Sequence, residues 1–245
     1  MNPYFLHLTS IESTNAFLLE KAETQNVVNY VVYADYQSHG KGMGNNTWES
    51  EPLKNLTFSM ALDTAFIDVA NQFQISQTVA VALHRCLSEY VDTDGLQVKW
   101  PNDILFENRK LAGVLISNIL KDNNMSLSVI GIGLNVNQTR FMDWPTNPVS
   151  MKMITGMDYD LKSVLDDIVD KIMSEVESLK SGYYQQINEY YLSKLYRYRQ
   201  WGSYLVGNDE KRLFMKGLDK FGRILLCDSD SVEYAFDVKQ IKFLM

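Results

Sequence analysis

VKWPNDILFENRKLAG, spanning Val98 to Gly113, sets two turns between short apolar runs. Pro101-Asn102-Asp103 is a turn by residue chemistry, because proline presets φ and the Asn and Asp side chains bond to nearby backbone. Asn108-Arg109-Lys110 has the polarity of a hairpin tip and leads into an apolar strand. Strands are therefore expected at about Gln97 to Trp100, Asp103 to Phe106 and Ala112 to Leu120. Lys110 then enters a strand ahead of Leu111, Ala112 and Gly113, where a lysine either snorkels from an edge or faces a polar pocket. Lys99, beside Trp100, has the same two readings.

Outward from this stretch, the pattern alternates between strand and helix periods. Ser13, Thr14 and Asn15 precede an apolar run and predict a capped helix, with Ser13 the cap by position. Asn29 to Tyr36 and Asn55 to Leu62 read as strands; the second alternates Leu56, Phe58, Met60 and Leu62, which predicts one covered face and one more polar face. Ile75, Val79, Ala82, Leu83, Cys86, Leu87 and Tyr90 recur at helical spacing. Leu127 to Val136 is a glycine-interrupted strand, and Thr139 to Pro148 is loop by its Asn, Pro and Thr content. Leu161, Leu165, Ile168, Ile172, Val176 and Leu179 mark a long amphipathic helix, and a Tyr-rich helix is expected over Tyr183 to Tyr198. Beyond Trp201, short strands separated by GND, DKFG and DSD turns predict a small β-barrel. The expected class is α+β, a mixed sheet with helices packed on one side, divided into a larger domain of residues 1–198 and a barrel of 199–245.

At 245 residues and 46% hydrophobic, the chain can bury a full core. No apolar run approaches the roughly 18 residues of a membrane helix, and the N-terminus lacks a basic region followed by an apolar one, so no membrane partner is expected. Cys86 and Cys227 sit among apolar residues and read as free buried thiols of a reducing compartment, which places the protein in the cytoplasm. A net charge of −7 argues against extended contact with nucleic acid. Lys194, Arg197 and Arg199 read as the solvated face of a helix in preference to a basic patch. His7, His39 and His84 lack metal-ligand spacing and no G-x-S-x-G turn is present, so neither a metal site nor a serine hydrolase is expected.

Gly40 to Trp48, GKGMGNNTW, follows a strand ending near Gln37. Alternate glycines let backbone N–H groups approach closely, so the loop can wrap an anion with Lys41 adding a charge; a mobile hairpin without ligand is the competing reading. It is not a Walker loop, because Gly42 follows Lys41 where Ser or Thr is required, and it misses the dinucleotide spacing by one residue.

Taken together, Ser13-Thr14-Asn15, Gln37 with the glycine loop, NLTFS at Asn55 to Ser59, KWPNDIL with RKLAG, and GIGLNV at Gly131 to Val136 resemble the biotin protein ligase family in kind, order and spacing. The resemblance is close over about Ser10 to Val136 and general elsewhere. It implies a class II synthetase-like catalytic fold that activates biotin with MgATP to biotinyl-5′-AMP and passes biotin to a lysine of a carrier domain of a biotin-dependent carboxylase. By the same resemblance, Ser13, Thr14, Asn15, Gln37, Gly40, Lys41, Gly42, Met43, Trp48, Lys110 and Gly113 hold biotin. Lys41, Asn102, Lys110 and Asn135 hold ATP, and Lys41, Lys110 and Asp103 carry the chemistry; for Asp103 a plain turn-forming role stays open. Trp48 and Trp100 would form apolar walls, Trp48 alternatively a loop anchor.

Two features depart from the family. Many relatives have Arg where this chain has Met43, so one cationic contact to the adenylate is missing or falls to Lys41, and leakage of the intermediate is expected to rise. Trp144 lies in a loop that either orders over the nucleotide or caps the core. With only 12 residues ahead of Ser13, the expectation is a form without the DNA-binding domain that some relatives carry. A lipoate or octanoate transferase of the same fold, or a binding module without catalysis, remains as an alternative. A homodimer, and the part the barrel plays, stay open.

Overall fold

The computed structural model describes residues 2–141 and 147–244. Trp144, and with it the middle of the loop around Thr139 to Pro148, lies outside the described residues. In chain order the elements are β1 (Tyr4–Leu8), α1 (Thr14–Thr24), β2 (Tyr30–Ala34), β3 (Leu56–Asp63), α2 (Phe73–Leu87), β4 (Leu96–Lys99), β5 (Asp103–Phe106), β6 (Arg109–Lys121) and β7 (Asn124–Leu134). There follow α3 (Met151–Thr155), α4 (Leu161–Lys180), α5 (Tyr184–Ser193), β8 (Trp201–Val206), β9 (Asp209–Leu218), β10 (Ile224–Cys227), β11 (Glu233–Phe236) and β12 (Ile241–Phe243). Neither β1 nor α3 was expected from the sequence pattern.

A seven-stranded sheet runs in the order β1-β2-β3-β7-β6-β5-β4, parallel only between β1 and β2. Register separates its faces by residue parity. Val31, Met60 and Ile130 lie in one transverse row and belong to the core cluster that includes Val79, Leu83, Leu165, Ile168 and Ile172 of α2 and α4. Val32, Ala61 and Val129 point the other way and pack with Leu18 of α1 and with Val27. Helices therefore cover both faces, correcting the expectation of one. The reason lies in β3, the third of seven strands, where even the more polar residues Thr57 and Ser59 are buried. Alternation marks the two faces of a strand, but it does not say whether a second layer covers the polar one.

The Tyr-rich helix ends at Ser193, short of the expected Tyr198. Past it the chain bonds to β4 instead, with Val98 N–H donating to the Lys194 carbonyl and Tyr196 N–H to the Val98 carbonyl. Arg197 and Arg199 take positive φ, 61° and 56°. The three basic residues are thus off any helix face, and Arg197 turns inward to donate to the carbonyls of Ser203 and Leu244.

The C-terminal strands form an antiparallel sheet in the order β11-β10-β9-β8-β12. Among the described residues no ladder joins its edges β11 and β12, so the element expected as a closed barrel is an open sheet as paired here. It is fastened to the first sheet at the KWPND turn, where Trp100 Nε1 donates to the Gly222 carbonyl at 2.8 Å. Gly222 has φ +83°, and a Cβ there would meet the Phe73 ring at 2.2 Å, so only glycine fits. Both cysteines are free, Cys86 buried and Cys227 only half-buried. Among the described residues no helix is long and apolar enough to cross a membrane.

His84 on α2 is fully buried between the Leu96 carbonyl and the Tyr190 hydroxyl, and burial pulls its pKa from 6.5 down to about 4. A histidine kept neutral by the fold binds its proton in the unfolded chain first, so folding stability falls as pH drops from 6.5 towards 4. Denaturant unfolding across that window should show the slope, and His84→Gln should flatten it.

Candidate active site

The face of the large sheet shared with α1 holds a cavity of about 440 Å³. Its floor follows from register. One transverse row runs Lys99, Asp103, Gly113, Gly133, Thr57 and Ala34 from β4 to β2, and the next includes Leu115, Gly131, Ser59 and Val32. Three glycines in these rows remove the side chains that elsewhere fill the sheet surface. Trp48 lies on the space so left: a Cβ on Gly133 would come within 2.3 Å of its ring, and one on Gly113 within 3.3 Å.

At one end stands the N-terminus of α1. Ser13 caps it, accepting from Ala16 N–H at 3.3 Å. Thr14 donates through its backbone N–H (2.7 Å) and its hydroxyl (3.0 Å) to Gln37 Oε1, and its hydroxyl lies 2.9 Å from that of Ser59. Asn15 Nδ2 is buried without a partner, and a Cβ on Gly131 would lie 3.2 Å from it. This end is therefore neutral and polar, with an unused donor that a bound acceptor would satisfy.

The other end is cationic. The glycine loop is a hairpin in which Lys41 bridges Thr47, Gly42 N–H donates to the Asn46 carbonyl at 2.8 Å and Trp48 N–H to the Gly40 carbonyl at 2.9 Å. Gly44 takes φ +67° at the turn. Close packing sets Gly40, since a Cβ would meet the Trp48 carbonyl oxygen at 2.2 Å.

Between β5 and β6 the register shifts: Ile104 pairs with Ala112 and Leu105 with Lys110, leaving Leu111 as an extra residue. Such a bulge changes the phase of the strand. Lys110 consequently faces the cavity with Gly113, three residues on, and its Nζ sits 2.7 Å from Asp103 Oδ1 in an ion pair. The angle leaves that oxygen without a hydrogen bond. Lys110 also lies 5.7 Å from the Trp48 ring centroid. The polar-pocket reading of Lys110 thus describes its position, and the same holds for Lys99, whose pKa is lowered first by burial and then by Lys110, Arg197 and Lys242, against an upward pull from Asp103.

Of the residues singled out from sequence, Ser13, Thr14, Asn15, Gln37, Lys41, Gly42, Met43, Trp48, Asn102, Asp103, Lys110 and Gly113 all line this cavity, as does Trp100. Asn102 is partly engaged, its Nδ2 donating to the Val114 carbonyl at 2.8 Å. Gly40, assigned to biotin from the sequence, is not among the lining residues, and neither is Asn135. It is buried, and its Nδ2 spans the carbonyls of Lys110 (3.3 Å) and Val149 (3.1 Å). Sequence reasoning assigned no role to Ser59, Gly131 or Gly133, although their parity with Thr57 and Val129 would have placed them on one face. Lys239 and Lys242 carried no signal, because they reach the cavity from the C-terminal sheet. Five lysines and a single carboxylate, Asp103, are among the lining residues of a chain whose net charge is −7. Among the described residues no cluster of His, Cys, Asp or Glu could cage a metal ion.

Fold and cavity define a mixed-sheet α+β domain with one elongated site, neutral and polar at one end and cationic at the other. Residues 8–135 match the model of the biotin/lipoate A/B protein ligase family. The chain belongs to that family. It is similar to the bifunctional ligase/repressor BirA of Escherichia coli, 26% identical over 225 residues that cover 89% of this chain and 68% of that protein. It is also similar to the BirA of Bacillus spizizenii, 27% identical over 69% of this chain and 52% of the relative, so it spans about half to two thirds of these relatives' lengths. In fold it resembles a biotin protein ligase from Aquifex aeolicus solved in complex with biotin and ATP, with a TM-score of 0.79, 24% identity and 97% of each chain covered.

Gly133→Ala tests the floor. The added methyl group must displace Trp48, and overpacking of this kind costs about 1–3 kcal/mol. Chemical denaturation should record that loss; a variant as stable as the parent would mean that Trp48 is not seated on the glycine.

Proposed function

We infer that this chain is a biotin protein ligase, forming biotinyl-5′-AMP from biotin and MgATP and transferring the biotinyl group to a lysine of a carrier protein. The observation that carries this reading is the two-ended cavity. A ureido ring offers two donors and one acceptor and no charge. Gln37, Thr14, Ser13 and the unpartnered Asn15 amide are partners of that kind. The glycine floor under Trp48 suits a thin apolar chain running away from that ring, towards Lys41 and Lys110.

In the first step a carboxylate oxygen attacks the α-phosphorus, forming an acyl phosphate bond while the bond to pyrophosphate breaks. The two reactants are both anions, so the protein's task is to hold them together against repulsion. Lys110, kept on the cavity face by the bulge and by the ion pair with Asp103, supplies one charge, and Lys41 of the hairpin another. Asn102 lines the nucleotide end, and Asn135 acts through the Lys110 carbonyl. Magnesium enters as the counter-ion of the nucleotide, since the cavity lining provides one carboxylate and phosphate oxygens supply the usual remaining ligands.

In the second step an uncharged lysine amine attacks the acyl carbon, the new C–N bond replaces the C–O bond, and AMP leaves. Asp103 is the base assigned to relieve the amine of its proton. The carrier is the biotin-accepting domain of a carboxylase, the expected compartment is the cytoplasm, and the working division of the chain is residues 1–198 for catalysis and 199–245 for the C-terminal sheet. Met43, lining the cavity without a charge, leaves lysines as the cations that hold the adenylate.

Biotin-dependent release of pyrophosphate from MgATP, with lipoate and octanoate as parallel acids, tests the reading. Release with biotin only is expected; release with lipoate or octanoate instead would move the chain to the other branch of its family. Lys110→Ala should lower adenylate formation by about 10²–10³, the scale for losing one preorganised charge-stabilising group, and activity within threefold of the parent would remove Lys110 from the mechanism. Asp103→Asn should impair transfer from preformed biotinyl-5′-AMP more than adenylation, read in two separate single-turnover assays; equal losses would refute that division.

A further inference from the structure

Lys41 and Lys110 are held in different ways. Lys110 sits within a long strand, is aimed by Asp103 and has its carbonyl gripped by Asn135. Lys41 is exposed on a small hairpin whose arms are joined by the Gly42 to Asn46 and Trp48 to Gly40 bonds. A two-stranded hairpin of that size is marginal by itself, so the position of Lys41 depends on how the ends of the loop are fixed. The entry is bound to the segment before α1, with Ser38 N–H donating to the Ile11 carbonyl (3.0 Å) and His39 N–H to the Glu12 carbonyl (2.9 Å).

The exit is bound by two buried side-chain amides outside the cavity lining, Asn55 and Gln138. Only Glu49 and Ser50 separate Trp48 from Glu51, whose N–H donates to Gln138 Oε1 at 3.0 Å. The same oxygen accepts from Asn55 Nδ2 at 2.5 Å, while Asn55 Oδ1 accepts from Val136 N–H at 2.9 Å and Gln138 Nε2 donates to the Arg140 carbonyl at 2.7 Å. Buried amides engaged in this way are costly to move, because each displaced bond leaves a polar group without water. Val136 adjoins Asn135, so one continuous set of bonds runs from the hairpin exit to the residue that holds the Lys110 carbonyl. We propose that Gln138 and Asn55 are positioning residues for adenylation, pinning the exit of the Lys41 hairpin to the end of β7 and so fixing Lys41 relative to Lys110. The proposal rests on the ligase reading for what the two lysines hold. Neither amide touches the reactants; both act through Lys41, whose distance from Lys110 sets how closely the carboxylate and the α-phosphate are brought together.

Gln138→Met keeps the length of the side chain and removes the acceptor, whereas Gln138→Glu keeps the acceptor and gives up the bond to Arg140. In single turnovers of the full chain at saturating biotin and MgATP, adenylate formation should fall about tenfold in Gln138→Met, with both KM values within about threefold, as expected for reacting groups slightly misplaced. Gln138→Glu should recover most of the rate. In a Lys41→Ala background Gln138→Met should cost at most about twofold more, since nothing is left to position; a further tenfold loss there would mark general destabilisation and overturn the proposal. Hydrogen exchange in the ligand-free protein gives a second readout. The Gly42, Trp48 and Glu51 amides should lose protection in Gln138→Met while the Val149 amide, bonded to the Lys110 carbonyl, keeps its own. That result supports the latch even if the parent releases no pyrophosphate with biotin, an outcome that would sink only the ligase reading. Unchanged exchange in the hairpin, or equal loss at Val149, sinks the latch. Should Gln138→Met not fold, Asn55→Asp takes its place in each assay, since it keeps the acceptor for Val136 and loses the donor to Gln138.

Discussion

Close approach of Trp48 to a strip of sheet without side chains organises this molecule. A seven-stranded sheet covered by helices on both faces would ordinarily be packed to crystal-like density, leaving no room for a ligand. Gly113, Gly131 and Gly133 break that rule over two adjacent rows, and the indole settles on two of them. The indole in turn sets the hairpin that holds Lys41, because Gly40 packs against the Trp48 carbonyl. The floor, the wall and the first cation are therefore consequences of a single steric condition.

The second cation is placed by backbone geometry. Lys110 would face away from Gly113 in a regular strand; the extra residue Leu111 turns it round, and Leu111 itself is fully buried. Asp103 then lies across the ladder at ion-pair distance, and Asn135 grips the Lys110 carbonyl from behind. An exposed lysine would gain little from such a pair, but here both partners are largely removed from solvent, with side-chain exposures of 21% and 15%. What the pair contributes is direction: it keeps a flexible side chain aimed along the cavity.

The C-terminal sheet joins this arrangement at the KWPND turn. Trp100 is almost wholly buried, lines the cavity with its backbone neighbours Lys99 and Pro101, and is tied to Gly222 of the other sheet. A contact that fastens two sheets thus lies beside the site, and a shift of the C-terminal sheet would move Lys239 and Lys242 with it.

Much was legible in the sequence because it is local. Turn chemistry at Pro101-Asn102-Asp103, the Ser13 cap, the 3.6-residue stripes of α2 and α4 and the glycine hairpin all follow from short-range sterics and hydrogen bonding, and each lies where the pattern put it. The motifs KWPND and RKLAG led to the family by resemblance, and twelve of the fourteen residues that the resemblance assigned to the site converge on one cavity only because the sheet register brings them there. Tertiary structure alone decided the rest. Period-two alternation could not say that β3 is buried on both sides, a helical stripe of tyrosines could not reveal that Lys194 and Tyr196 would pair with Val98, and no spacing links Lys242 to Lys99 across more than half the chain. Those outcomes depend on which surfaces meet, and pairing between distant segments is set by the packing of the whole fold, for which a local pattern carries no term.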